Sequence, residues 1–242
     1  PSASPTWTAG ASPSPTPAAS ATPSPSPAAT AVHTGQLIYS SNAGGSYQLY
    51  RLDLSAGPPP QLTTGAFNDL NPQVSPDGRY AVFYSDRDGD QEIWRLDLTD
   101  LSLTQLTFYT ASDYDPSWSP DGTKIVFKSN RDDGLGDIFV MNADGSGQTN
   151  VTPGRSTVED WDPTFSQDGS QIYFVSRLTA GDPNSDEIFV MDANGANVVR
   201  LTNNSVPDWY PAVNPADGSL AFVSKSAPAS DDDIFVMQAN GS

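Results

Sequence analysis

One pattern returns four times along this chain and limits what it can fold into. Its copies read Asn71-Pro72-Gln73-Val74-Ser75-Pro76-Asp77-Gly78, Asp115-Pro116-Ser117-Trp118-Ser119-Pro120-Asp121-Gly122, Asp162-Pro163-Thr164-Phe165-Ser166-Gln167-Asp168-Gly169 and Tyr210-Pro211-Ala212-Val213-Asn214-Pro215-Ala216-Asp217-Gly218. The apolar residue at the centre of each copy stands at 74, 118, 165 and 213, in steps of 44, 47 and 48 residues. In Ser-Pro-Asp-Gly, Pro presets φ, Asp bonds its local backbone and Gly accepts a positive φ, so each copy is a turn between two strands. The last copy moves its Asp-Gly by one place, yet Val213 to Leu220 keeps the seven-residue step of Trp118 to Ile125. There the turn has changed and the strands have not.

A short apolar strand follows each turn: Tyr80-Ala81-Val82-Phe83, Ile125-Val126-Phe127, Ile172-Tyr173-Phe174-Val175 and Leu220-Ala221-Phe222-Val223, with Leu37-Ile38-Tyr39 as an earlier copy. After a polar loop comes a second: Leu49-Tyr50-Arg51-Leu52, Ile93-Trp94-Arg95-Leu96, Ile138-Phe139-Val140-Met141, Ile188-Phe189-Val190-Met191 and Ile234-Phe235-Val236-Met237. A weaker third strand ends in Leu62-Thr63, Leu106-Thr107, Val151-Thr152 or Leu201-Thr202. Consecutive apolar residues, in place of alternate ones, mean that both faces of the middle strands are covered. Four short strands per repeat, two buried faces and a period in the forties describe the blades of a β-propeller stacked about a channel.

These repeats resemble the TolB-like, WD-type propeller repeats of exported bacterial proteins. The resemblance is carried by Asp113 to Met141: Asp-x-x-Pro, Trp-Ser-Pro-Asp-Gly, Ile-x-Phe, a polar loop with Arg, then Asp-Ile-Phe-Val-Met, followed by Asn-Ala-Asp-Gly. It implies an all-β fold of four-stranded antiparallel blades, labelled A to D from channel to rim. On that scheme the chain holds three complete blades (71–108, 115–153 and 162–203) and two partial ones (35–64 and 210–242). The first lacks its A strand and the last its D strand, so the sequence reads as part of a ring of six or more blades, cut short at Ser242. The globular amino-terminal domain of TolB has no counterpart here, so an orthodox TolB is not expected. The resemblance implies an extracytoplasmic place, periplasmic or cell-surface, anchored through sequence upstream of Pro1.

Composition divides the chain in two. Residues 1–32 contain no charged side chain and are almost entirely Pro, Ser, Ala and Thr. Such a segment buries too little apolar surface to offset the entropy of ordering, and 1–34 reads as a disordered, polyproline-like stalk before a propeller at 35–242. The net charge of −18 falls on the second part, because all 11 Lys and Arg lie beyond position 50. That charge excludes nucleic acid and anionic membrane as partners and suits cations or basic proteins. The chain has no cysteine, which excludes disulfides and thiolate chemistry. No apolar run is long enough to cross a bilayer.

The single histidine, His33, stands at the stalk junction. A Ser-His-Asp triad and a histidine metal cluster are therefore unavailable in the propeller, and no catalytic residue is assigned. The connections expected on one face are rich in acids. Asp69, Asp113, Asp160 and Asp208 recur three residues before each Pro, and Asp115 and Asp162 stand just before it. A docking face for a basic partner is one reading; Asp capping its own turn is the other. Tyr114, Trp161 and Trp209 lie beside these acids, either as partner anchors or as plugs between blades. The loop Asp86-Arg87-Asp88-Gly89-Asp90-Gln91-Glu92 has acids at alternate positions like half of a calcium loop, so Asp86, Asp88, Asp90 and Glu92 are candidate calcium ligands against a plain solvated hairpin. No other cofactor is expected.

The resulting expectation is a non-catalytic extracytoplasmic module that binds protein or peptide through its acidic face. Alternatives are the external sensor of a membrane-bound signalling protein, or the gating propeller of a prolyl-oligopeptidase-like peptidase. Deleting residues 1–32 is expected to leave the melting temperature within about two degrees, since they contribute no core; scanning calorimetry of both chains checks this.

Overall fold

The computed structural model describes residues 35–53, 59–132, 134–155, 158–226 and 231–242. The stalk expected at 1–34 lies outside them. The described residues form a β-propeller of antiparallel sheets, each a simple up-and-down meander. The first sheet is β1 (Gln36–Ser41) and β2 (Gln48–Asp53), extended by a bridge between Tyr50 and Gln61. Three four-stranded blades follow. They are β3 (Asp69–Val74), β4 (Tyr80–Ser85), β5 (Glu92–Asp97) and β6 (Leu103–Gln105); β7 (Asp113–Trp118), β8 (Lys124–Ser129), β9 (Asp137–Asn142) and β10 (Thr149–Asn150); and β11 (Glu159–Phe165), β12 (Gln171–Arg177), β13 (Asp186–Asp192) and β14 (Val199–Arg200). The last sheet is β15 (Trp209–Val213), β16 (Leu220–Lys225) and β17 (Asp232–Met237). Among the described residues no helix is long and apolar enough to cross a membrane.

The repeated turn works as its composition requires. Ser75, Ser119 and Ser166 accept a backbone N–H from Tyr80, Lys124 and Gln171 at 2.9 Å and donate to Asp77, Asp121 and Asp168 two residues on. Those carboxylates also accept the N–H of Arg79, Thr123 and Ser170 at 3.0 Å. In the last blade Ser219 N–H bonds Asp217, and Val213 still pairs with Leu220 as Trp118 pairs with Ile125.

The rim strands are held through threonine. Thr63, Thr107, Thr152 and Thr202 each accept at Oγ1 the N–H of the first apolar residue of the neighbouring strand, Leu49, Ile93, Ile138 or Ile188, at 2.8–2.9 Å. The residue before each Thr donates its own N–H to that same residue's carbonyl. Both backbone groups of one residue are thus satisfied by an apolar-Thr pair, which is why so short a rim strand suffices.

Alternate residues of the middle strands feed two different cores. Phe127, Phe139 and Met141 pack back onto Val82, Ile93 and Leu106 of the preceding blade, while Val126 and Ile138 pack forward onto Phe165, Ile172 and Phe174. The approach is tight enough to demand glycine at the outer turns: a Cβ on Gly195, at φ +88°, would stand 2.1 Å from the Val151 carbonyl oxygen of the blade before. On β17 the forward-facing Ile234 and Val236 are 78% and 69% exposed, against 0% and 7% for Ile188 and Val190. Ile188→Ala should therefore cost about 2–5 kcal/mol and Ile234→Ala close to nothing, read from paired denaturant melts.

Candidate functional site

The four repeated acids are buried at the start of the innermost strands or just before them. Asp69, Asp113, Asp160 and Asp208 are all 0% exposed. Arg87 and Arg131 reach back from the loop between the second and third strands of their own blades to Asp69 and Asp113, and Arg155 does the same for Asp160 from the preceding connection. Each guanidinium also donates to a serine at the end of the second strand, Ser85, Ser129 or Ser176. It lies over aromatic rings as well: Arg87 over Trp94 at 4.7 Å, Arg131 over Phe139 at 4.6 Å and Arg155 over Phe189 at 5.6 Å. Asp208 takes an amide in place of a guanidinium, from Asn204 at 2.9 Å. These acids present no exposed oxygen, so the acidic docking ring expected from them is corrected to a set of interior ties. Burial raises the carboxyls of Asp113 and Asp160 from the ordinary range, with the adjacent guanidinium pulling the other way.

The three aromatic candidates are half-buried between or beside blades. Tyr114 meets Tyr84 of the preceding blade edge to face at 5.4 Å, Arg177 sits over Trp161 at 4.9 Å, and Trp209 donates its indole N–H to Asp186 of the preceding blade at 3.0 Å. In the acidic hairpin, ligand atoms of Asp88, Asp90 and Glu92 lie within 4.8 Å of one another. Asp86 is turned away, accepting the backbone N–H and side-chain amide of Asn68 at 2.7 and 2.9 Å. Glu92 is buried and accepts from Thr107. Desolvation, with the charge of Asp113 adding to it, pushes the Glu92 carboxyl up to about 8.

A further set stands two residues along the innermost strands: Asp115 and Asp162, counted in the sequence among the acids of one face, with Asn71 and Tyr210 at the equivalent positions. Asn71, Asp115, Asp162 and Tyr210, each before a Pro, have φ of 49°, 50°, 49° and 53°. A residue before Pro is ordinarily extended, and non-glycine residues seldom adopt a positive φ. Here each coincides with a bulge, a register shift between Leu70 and Gln73, Tyr114 and Ser117, Trp161 and Thr164, and Trp209 and Ala212. A bulge re-aims the side chain it carries. The four residues line a cavity of about 400 Å³ between the innermost strands, with Ser117 and Thr164 next along the wall.

The Asn71 amide donates to Asp115 Oδ1 at 2.6 Å, and Asp162 lines the same cavity as Asp115. Oδ2 of Asp162 is buried and meets no donor among the described residues. Desolvation and then the Asp115 charge push Asp162 up to about 8, against the opposing pull of Lys128, which is itself paired with Glu159 at 2.9 Å. Burial, reinforced by these acids, pushes the Tyr84 phenol up to about 12 and raises that of the exposed Tyr210. The channel therefore presents two neighbouring carboxyls, that of Asp162 raised by burial, beside phenols and an amide. That set can hold a cation or donate and accept hydrogen bonds, and it contains no nucleophile paired with a base.

The model of the TolB beta propeller domain matches residues 16–133, 88–177 and 112–242. The chain belongs to this family. No curated protein sequence matches it. Among solved structures, the protein from Agrobacterium tumefaciens assigned as a TolB is 26% identical, with a TM-score of 0.70 over 85% of this chain and 77% of that one. TolB from Acinetobacter baumannii is 21% identical, with a TM-score of 0.72 over 85% of this chain, which spans 51% of that protein. A puromycin-hydrolyzing peptidase of Mycobacterium tuberculosis shares the fold at 17% identity and a TM-score of 0.57, over 83% of this chain and 36% of that one.

The raised Asp162 carboxyl sets the pH dependence to be expected of this TolB-type propeller. Asp162 holds a proton to about pH 8 in the folded chain, whereas an unfolded Asp releases it near pH 4. Between those values the folded state binds the extra proton, so its advantage is complete at the acid end and is lost as pH rises through about 8. Asp162→Asn, which supplies a donor without a charge, should raise the melting temperature at pH 8.5 and change it little at pH 5. Thermal melts of both proteins across that range check the sign.

Proposed function

We propose that this TolB-type propeller is a non-catalytic, extracytoplasmic module that binds a protein or peptide through the face at which its channel opens. The observation that carries the reading is the bulge repeated in four innermost strands, which turns Asn71, Asp115, Asp162 and Tyr210 toward one open cavity. Strain of this kind persists where the surroundings over-determine it and tends to collect at binding sites. Tyr210 is 62% exposed beside the carboxyl pair, which suits an aromatic anchor next to a charge-selective seat. The pair favours a cationic group, because a lysine or arginine entering the channel would let both carboxyls ionise. The family resemblance supports the extracytoplasmic place and the binding role in the same general terms.

Calorimetric titration with short basic peptides, and with acidic peptides of the same length, tests this. Basic peptides should bind, more tightly above pH 8 than at pH 6, with at least tenfold loss in Asp115→Asn or Tyr210→Ala. Equal binding of acidic and basic peptides, or none, would sink the reading.

The same reading keeps Asp88, Asp90 and Glu92 as calcium ligands on the hairpin, without Asp86. Calcium must displace the Glu92 proton, so its affinity should rise with pH through about 8. Titration of calcium at pH 6.5 and 8.5, with Asp90→Asn as control, reads this directly; pH-independent heats identical in the variant would remove the site.

A further inference from the structure

At the ends of the blades away from Asp69, Asp113 and Asp160, the turns between first and second strands meet the turns between third and fourth strands of the next blade. One notch therefore recurs between successive blades, and its linings can be compared at fixed backbone positions. Between the second and third blades it is a cavity of about 380 Å³ walled by Tyr80, Arg95, Trp118 and Ala143, with Asp77 and Asp121 among its lining. Between the third and fourth blades the same positions carry Lys124, Val140, Phe165 and Ala193 around about 310 Å³. The registers fix the equivalence: Arg95 faces Val82 as Val140 faces Val126, and Trp118 faces Ile125 as Phe165 faces Ile172. Two aromatic rings and a guanidinium thus replace a plainer wall in one notch.

Arg95 departs from most of the other arginines. Arg79, Arg87, Arg131, Arg155, Arg177 and Arg200 each hold a carboxylate. Arg95 is half-buried, and its one side-chain hydrogen bond among the described residues goes to the Ala143 carbonyl at 2.8 Å. It lies 4.6 Å over the Tyr80 ring and, among the described residues, has no carboxylate in ion-pair range; Asp144 feels its charge only weakly. A guanidinium has five N–H donors, so most of its capacity is unused in a chain with net charge −18. Asp77 and Asp121 stay ionised, held below the ordinary range by Ser75 and Ser119. A bare anion would be repelled by them. A ligand that carries a cation as well would not.

We infer that this notch binds a zwitterion of amino-acid or dipeptide size, its carboxylate on Arg95, its apolar body against Tyr80 and Trp118, and its ammonium toward Asp77 and Asp121. Bidentate carboxylate recognition is what a pre-oriented, ring-stacked guanidinium does well. The site is separate from the channel and stands independently of the role proposed there.

Isothermal titration of the full chain with L-phenylalanine, glycyl-phenylalanine, phenylalaninamide and N-acetylphenylalanine tests it. One or both zwitterions should bind saturably, and removing the carboxylate or the ammonium should weaken binding at least tenfold. Preference for the dipeptide assigns the site to peptide ends; preference for phenylalanine assigns it to free amino acids. Arg95→Val installs the side chain that the repeat carries at Val140 and Val190, so it should fold with an unchanged melting temperature and lose binding. Tyr80→Gln, copying Gln171, should weaken it, and Asp115→Asn in the channel should leave it intact. No saturable heat with any of the four compounds, or undiminished binding by Arg95→Val, overturns the inference.

Discussion

A blade with apolar side chains on both faces cannot be stable alone, and the rest of this structure follows from that constraint. Each sheet must find a neighbour in front and another behind, so Ile138 is forced forward while Phe139, one residue later, is forced back. Tight stacking then dictates what can stand at the contacts. Glycine is needed where Gly195 meets the Val151 carbonyl, and threonine at the rim satisfies the backbone of the strand within. Where no described blade packs in front, apolar side chains stay exposed, as at Ile234 and Val236.

Radial stacking also decides where charge goes. The innermost strands converge on the axis, and their leading ends are sealed from solvent by the loops above. A carboxylate there must be paired or protonated. Both solutions occur within a few residues of each other. Asp69, Asp113 and Asp160 are neutralised by arginines wedged against aromatic rings, while Asp115 and Asp162 find less positive charge, and burial raises both carboxyls. The first arrangement stiffens each blade by tying three of its segments together. The second leaves an interior charge that a ligand or a change of pH can alter, which is the reason to look for function in the channel and not in the ties.

The fold was legible because its signals are local. Turn chemistry, the seven-residue step across the first hairpin and the apolar-Thr ending of the rim strand all act within one repeat, and the observed registers reproduce them. The site was much less legible. Asp113 and Asp115 are two residues apart and chemically alike, yet one is an interior tie and the other faces the channel. A strand without a bulge would send both to the same side. Only the positive φ before Pro116 separates them. The available hint was that Asn and Asp, the residues most tolerant of that conformation, stand before Pro in three of the four copies.

Sequence by itself determined the period, the strand order, the turn types and the absence of imidazole and thiol from the repeats, since each depends on residue identity and short spacings. It also determined that acids would gather at one end of each blade. Which acids are buried, which arginine serves which carboxylate and which guanidinium lines a notch were decided only by tertiary structure. Arg155 comes to Asp160 from the preceding connection, whereas Arg87 and Arg131 come from within their own blades. Arg95 differs from them because the strand aims it into a notch made by the next blade, 48 residues away at Ala143. Such partnerships depend on distances across the ring, and those exist only once the blades have stacked.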